Sequence, residues 1–381
     1  MIYLDNGATT PVDPLVVEAM LPHYVSNYGN PSSLHHLGAT AAGALRRARE
    51  IVAGALGVEA EEIAFTGGGT EADNIGMRGP ALSSPPKRKH ALIFTLEHPA
   101  VRSQRAFLER LGFTVEEIPC TADGLCDLDA FEGLLRKNET ALVGIMHANN
   151  EIGTIQPLDV VGEIIADRCP AAHLHVDAVQ SFTKAVVRPR SMRADTMAFA
   201  AHKLHGPKGV GALYVRKGAR VRPLVSGGGQ ERGVRPGTEN IPGIVGFAKA
   251  VELAMETHRD DIRRMTRLRD LLLDRLTALD GVRINGHRTE RLCNNINVTV
   301  DGARAEVLLH ELEAGGVLVS SGSACHAGQS GPSHVLKAIG LTEADTGTLR
   351  ITLSRLTTEA EVTAASETLV AVIKKHGGSH P

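Results

Sequence analysis

The chain has no tryptophan, and four tyrosines and eight phenylalanines bring the aromatics to only 3% of its 381 residues. Recognition of nucleic-acid bases by stacking has little to work with. Neither sign of charge dominates, since 41 Lys and Arg stand against 43 Asp and Glu, a formal net charge of −2. That removes both the basic footprint of a nucleic-acid binder and the acidic run of a solvating tail. No apolar run approaches the length that spans a bilayer. The opening "MIYLDNGATTP" lacks the charged and apolar regions of a secretory leader. Cysteines are few, at positions 120, 126, 169, 293 and 325, scattered and odd in number. They make no disulfide framework, and a reducing, cytoplasmic setting is expected. Cys120 and Cys126 are too far apart for a CxxC pair, which argues against a zinc knuckle there.

What is present is a chain with material for a large core. Hydrophobic residues make up 43%, and the length suits two domains, or one large domain with a smaller partner. Helix and strand patterns alternate through the first two-thirds. "TAAGALRRAREIVAGALG" (40–57) spaces Leu45, Ala48, Val52 and Leu56 near helical intervals, with Gly57 as a stop. "EIAFT" (62–66), "ALIFTL" (91–96), "TALVGIMHA" (140–148), "HLHVD" (173–177), "TMAFAA" (196–201) and "GVGALYV" (209–215) read as strands, and the second is followed by a helix to about Leu111. Continuous apolar strands alternating with helices predict an α/β fold with a mostly parallel sheet covered on both faces. From about Ile241 to Leu279 the pattern is long and helical, suited to joining two domains. Beyond it, "NNINVTV", "RAEVLLHELEAGG", "TLRITLS" and a last helix from Thr358 form a smaller α+β unit.

Parallel sheets place ligands at the carboxyl ends of their strands, and polar clusters follow several of these strands. "TGGGTEADN" (66–74) puts glycines at a strand-to-helix junction, where backbone N–H groups and the helix start favour an anion. An ordinary turn is the alternative, and no Gly-Lys-Ser/Thr makes it a P-loop. His98 follows a second strand. Asn149, Asn150 and Glu151 follow a third, and Asp177 ends a fourth. An apolar strand end needs a cationic or protonated partner for such a carboxylate. Lys203, beside His202 just after "MAFAA", sits where desolvation lowers an amine's pKa and makes it a nucleophile. A phosphate-friendly loop, a His, an Asn, an Asp and a semi-buried Lys at the ends of one sheet are what pyridoxal 5'-phosphate needs. Metal and nicotinamide sites do not need a Lys and an Asp in this way. Last, "VSSGSACHAGQSGPSHVLKAIG" (319–340) holds Cys325 among small residues, ahead of a helix start at Pro332 and Ser333.

Nine segments together, "YLDNGATTP", "NYGNPSSLH", "TEADN", "EHPAV", "MHANNEIGTIQP", "HVDAVQS", "HKLHGPKGVGALYV", "GGGQERGVRPGTEN" and "SSGSACHAG", resemble in order the cysteine desulfurases of the NifS/IscS type, and the resemblance runs from Tyr3 to the final helix. The resemblance implies a pyridoxal-phosphate enzyme of the aspartate-aminotransferase fold. Its large domain would span residues 15–257, and a small domain of 1–14 and 258–381 would carry the cysteine loop. Lys203 would bond the cofactor's aldehyde and Asp177 its pyridine nitrogen. Gln180 would contact the phenolic oxygen, and His98 would stack on the ring and serve as an acid or base. Asn149 would lie near the ring hydroxyl and the substrate carboxylate. Gly69, Thr70 and His202 would hold the phosphate, and Thr238 would reach the phosphate of a second subunit, which implies a homodimer. Arg350 would bind the substrate carboxylate in bidentate fashion. L-cysteine would give up its sulfur to Cys325 as a persulfide, leaving L-alanine, and an acceptor protein for iron–sulfur assembly or other thiolation would take the sulfur on.

Two positions depart from the family pattern. Ala200 stands where a phosphate-binding serine is usual, and His326 follows the cysteine where Thr or Ser is common. A protonated His326 would lower the thiol pKa, while a loop histidine in solvent would do nothing. Selenocysteine lyases and related aminotransferase-fold enzymes share Lys203 and Asp177 and stay open as an alternative. A non-catalytic relative does not explain why Lys203, Asp177, His98 and Cys325 are all present.

Overall fold

The computed structural model describes residues 1–321 and 331–377. Among them, twelve strands form three sheets. They are β1 (Ile2–Tyr3), β2 (Ile63–Thr66), β3 (His90–Phe94), β4 (Thr114–Ile118), β5 (Thr140–Met146), β6 (His173–Asp177), β7 (Thr196–Ala200), β8 (Gly211–Val215), β9 (Val282–Ile284), β10 (Asn295–Val300), β11 (Val317–Leu318) and β12 (Thr348–Thr352). Seven make the large sheet in the order β2-β8-β7-β6-β5-β3-β4. Only β8 runs against its neighbours there; the β7–β6, β6–β5, β5–β3 and β3–β4 pairs are parallel. Six of the seven coincide with the apolar runs read from the sequence. The seventh, β4, does not. It is an edge strand whose "TVEEI" alternates exposed and buried residues, a pattern too polar to look like its neighbours.

Central strands β5 and β7 are buried along their whole length. Their side chains enter a core with Leu92, Phe94, Val143, Val176, Phe199 and Phe247. Helices cover both faces, as continuous apolar strands require. Helix His36–Leu56 packs against helix Ile241–Glu256 on one side. Helix Gly69–Ser83 lies across β7 and β8 on the other. The long helical stretch expected over 241–279 is two helices, Ile241–Glu256 and His258–Thr277, that part at Thr257. Thr257 has φ −117° and ψ 14°, outside helical geometry.

A second apolar core gathers Leu4, Leu268, Leu272, Ile296, Ile351 and Leu369. The antiparallel sheet β12-β10-β9 and helix Glu359–His376 supply most of it, and β1 joins by pairing with β11. Helix His334–Ala338, which follows residues 322–330, buries Val335 and Leu336 in the first core instead. Ser333 caps it by accepting from the Leu336 N–H, as the sequence suggested.

Candidate active site

The polar clusters converge on one cavity of about 340 Å³ at the carboxyl ends of the large sheet. Lys203 comes from the turn after β7, Asp177 from the end of β6, and His98 from the turn after β3. Gly69 and Thr70 open helix Gly69–Ser83 directly after β2. All five line the cavity, together with Gln180, Ala200, His202 and Arg350. A wider cleft of about 540 Å³ lies elsewhere, around Glu62, Asp195 and Arg216. Its Arg190 and Arg216 are already paired with Glu62 and Asp195, so it offers no convergent set.

Lys203 donates through Nζ to the Gly7 carbonyl at 2.7 Å and the Ala8 carbonyl at 2.8 Å. Those carbonyls belong to the N-terminal segment, which also meets the turn after β7 where the Thr10 N–H and hydroxyl donate to the His202 carbonyl. Burial, then the charges of Lys184 and Arg350, lower the Lys203 pKa from 10.5 to about 7, against the pull of Asp177 and Asp5. A neutral amine has two hydrogens, and both are used on carbonyls. Its lone pair stays available to an electrophile. Gln180 donates to the same Gly7 carbonyl at 2.9 Å, so one peptide unit orients both side chains.

Asp177 is 6% exposed. Its Oδ1 accepts from the Val179 N–H at 2.9 Å. Burial raises its pKa, while His98, the Val179 N–H and Lys203 favour the charged form. His98 Nδ1 accepts from the Ala100 N–H at 3.2 Å. The neutral ring therefore carries its proton on Nε2, and burial lowers the pKa of His98 despite Asp177. His202 Nδ1 lies 3.2 Å from Thr9 Oγ1. Burial and the Lys203, Lys208 and Lys184 charges take this imidazole to about 4. Arg350 reaches the cavity from β12. It bonds Asp5 Oδ1 at 2.8 Å and the Asn150 carbonyl at 3.3 Å. Its buried Nε has no partner among the described residues.

The aminotransferase class-V family pattern matches residues 2–364. The chain belongs to that family. Among class-V relatives, it is 43% identical over 375 residues to a cysteine desulfurase IscS of Methanosarcina thermophila, covering 98% of this chain and 92% of that one. Its fold resembles a solved NifS-like protein with a TM-score of 0.91 and 38% identity, over 98% of this chain and 99% of the other. A structure of SspA in complex with cysteine aligns with a TM-score of 0.82 and 34% identity, over 94% and 100% of the two chains.

Two expected residues of this class-V chain stand outside the cavity. Asn149 is fully buried and does not line it. Its Nδ2 donates to the Leu96 carbonyl at 3.0 Å, and its Oδ1 accepts from the Glu151 and Ile152 N–H groups at 2.8 and 3.0 Å. That side chain is occupied in building the turn, and the neighbouring Asn150 lines the cavity instead. Thr238 is exposed and also outside the lining. Its segment is tied to the glycine-rich turn through Arg235 Nε and Glu71 Oε1, 3.1 Å apart. Cys325 and His326 lie outside the described residues.

The cavity also holds groups to which the sequence analysis gave no role. Asp73, Glu151 and His334 line it. Ser333 Oγ donates to Glu151 Oε2 at 2.6 Å, and His334 Nε2 donates to the Glu97 carbonyl at 3.0 Å. These two bonds fix the chain just past residues 322–330 at the cavity wall. The signal that could have found them was the run "PSHVL", read only as a helix start.

Proposed function

We propose that this chain is a pyridoxal-phosphate-dependent cysteine desulfurase that moves sulfur from L-cysteine to Cys325 and releases L-alanine. The observation that carries this reading is the convergence of Lys203, Asp177, His98 and the start of helix Gly69–Ser83 on one cavity. The names of its relatives support the substrate, since one is a cysteine desulfurase and another was solved with cysteine.

The residues present suit the cofactor. Asp177 is a buried carboxyl that makes no ion pair among the described residues, and a protonated ring nitrogen would give it one. Gly69 leaves a cradle, since a Cβ there would sit 2.7 Å from Val179 Cγ2. Lys203 would hold the aldehyde and Gln180 the phenolic oxygen. His98 would lie on the ring, and Gly69, Thr70 and His202 would hold the phosphate. Ala200 offers no hydroxyl there, so the helix start and Thr70 carry more of the phosphate's charge. When bound, the cofactor supplies a ring that withdraws electrons from the substrate's α-carbon.

The chain's own groups do the rest. Arg350 grips the substrate carboxylate with a guanidinium already oriented by Asp5. Neutral Lys203 takes up the α-proton, and His98 holds a proton on Nε2 at the cavity wall. The Cys325 sulfur then forms an S–S bond as the substrate's C–S bond breaks. L-cysteine plus a thiol gives L-alanine plus a persulfide, with atoms and electrons balanced and no oxidant. A thiol of an acceptor protein, an iron–sulfur scaffold or a thiolation protein, removes the outer sulfur.

A second copy completes the assembly. Leu15, Leu21, Tyr24, Val25, Tyr28 and Leu34 are all exposed within one stretch of chain, the kind of patch that marks an interface. An exposed Thr238 is available to the phosphate of a second copy in such a homodimer.

The test is L-alanine and sulfide release from L-cysteine with a thiol reductant, in wild type and Cys325→Ala, alongside mass analysis of the Cys325 peptide. Wild type should gain one sulfur on that peptide, and the variant should lose at least about 99% of sulfide release. Wild-type rates in Cys325→Ala would sink the persulfide assignment. Release from L-selenocysteine but not L-cysteine would make the enzyme a lyase of the selenium substrate.

A further inference from the structure

A buried acid–imidazole pair lies against the cavity, and none of the roles above uses it. Asp73, in the second turn of helix Gly69–Ser83, lines the cavity and is 1% exposed. Its Oδ1 is 3.2 Å from His175 Nε2. His175 is fully buried on β6, two residues before Asp177, so both side chains project from the same face of that strand. Its Nδ1 lies 2.9 Å from Thr196 Oγ1. The same hydroxyl is 2.8 Å from His173 Nε2 and 3.4 Å from the Gly76 carbonyl. Gly76, one turn beyond Asp73, lets the helix close on the imidazole: a Cβ there would meet His175 Nδ1 at 2.3 Å. One turn of helix thus presents both an acid and a gap to the same ring.

Proton counting decides what the pair holds. The Gly76 carbonyl can only accept, so the Thr196 hydroxyl hydrogen goes to it. Both imidazole nitrogens that face Thr196 must then carry N–H. His175, protonated on Nδ1, turns Nε2 toward Asp73. Either the acid donates to an Nε2 lone pair or an imidazolium donates to a carboxylate. In both cases the pair keeps one shared proton and no net charge. The titratable groups that face Asp73 are His175 and Asp177 on β6 and Glu97 after β3. Burial, then Asp177 and Glu97, hold the Asp73 carboxyl well above its ordinary range. Burial takes the His175 imidazole down to about 3. Burial disfavours both charged forms, so the neutral arrangement, with the proton on the acid, is the favoured one.

We infer that Asp73 is a positioning residue, a carboxylic acid that donates to His175 Nε2 and leaves Asp177 as the anionic carboxyl of the cavity. Two carboxylates lining one cavity would compete for one cation, as like-charged pairs do. Asp73 gives up its charge and holds the β6 imidazole, so the negative charge stays opposite the proposed ring nitrogen. The purpose rests on the reading of Asp177 as the cofactor's partner. The protonation state belongs to the protein without any cofactor.

Infrared difference spectroscopy of the cofactor-free protein, wild type minus Asp73→Asn at neutral pH, reads that state directly. A carbonyl stretch of a protonated carboxylic acid, shifting in D2O and missing from the variant, is expected. Loss of a carboxylate band instead would overturn the inference. Asp73→Asn mimics a neutral acid, so the pH midpoint of the bound cofactor's absorption should move by less than about 0.3 unit. Removal of a real charge would move it by about one unit or more, which would also overturn the inference. A thermal melt close to wild type shows that the variant folds. If wild type fails to take up the cofactor, the functional reading fails while the infrared result still stands.

Discussion

Lys203 spends two N–H bonds on the carbonyls of Gly7 and Ala8, and burial beside Lys184 and Arg350 brings its pKa to about 7. At pH 7 about half of its amine is neutral, against roughly one part in 3,000 for an ordinary lysine. An amine-selective acylating reagent applied to the cofactor-free protein should therefore modify Lys203 ahead of the surface lysines, with a half-maximal rate near pH 7 in peptide mass analysis. A midpoint near pH 10 would show an ordinary lysine. His147 titrates with a different outcome. It is 4% exposed, and burial takes its pKa from 6.5 to about 4. Between those values the unfolded chain binds a proton that the folded chain refuses, so stability is lost as pH falls from 6.5 to 4. At ~1.4 kcal/mol per pKa unit the loss is on the order of 3 kcal/mol. Urea unfolding at pH 7 and pH 4 should show His147→Asn losing less stability on acidification by about that amount; an equal loss in both proteins would refute it. Lys203, Asp177 and His98 were legible in the sequence because each breaks an apolar run at a strand end. His175 was not, since a histidine inside "HLHVD" reads as strand filler until its partner on a helix about a hundred residues earlier is placed. Asn149 and Asn150 are adjacent and chemically identical, and only the turn decides which one faces the cavity.

At the scale of elements, helix Gly69–Ser83 ties the cavity to the sheet, and Gly76 sets its distance from β6. Gly76→Ala puts a methyl 2.3 Å from an imidazole nitrogen that is itself hydrogen-bonded to Thr196. Overpacking of this kind costs about 1–3 kcal/mol, and here it also separates Asp73 from His175. Gly54 in helix His36–Leu56 makes the contrast. A Cβ there meets nothing within 4 Å, so Gly54→Ala should stabilise by about 0.5–1 kcal/mol. Chemical denaturation of the two variants should move in opposite directions, and a Gly76→Ala protein as stable as wild type would mean the helix does not press on the ring. Periodicity revealed helix His36–Leu56 and the buried strands, because each repeats one environment. It missed β4, whose outer face is wet, and the break at Thr257, where apolar spacing runs on through a turn that lacks Gly or Pro.

At the scale of the whole molecule, two apolar cores meet at the cavity, and Arg350 from the second reaches Asp5 and the Asn150 carbonyl beside Lys203 from the first. The N-terminal segment crosses between them, with Leu4 in the second core and the carbonyls of Gly7 and Ala8 on Lys203. The chain that follows it exposes Leu21 at 57%, Tyr24 at 59%, Val25 at 73% and Tyr28 at 66%. Such a run in solvent forgoes about 25 cal/mol for each Å² of apolar surface left uncovered, and the proposed second copy would cover it. Light scattering should give twice the 40.4 kDa chain mass. Leu21→Asp with Tyr24→Glu sets four like charges across the two-fold axis of a dimer, and the doubly substituted protein should run as a monomer with an unchanged far-ultraviolet spectrum. If Thr238 serves the second copy's phosphate, that monomer should also bind the cofactor at least about tenfold more weakly, as Thr238→Ala should within an intact dimer. A monomer that binds the cofactor as tightly as wild type would place the whole site within one chain.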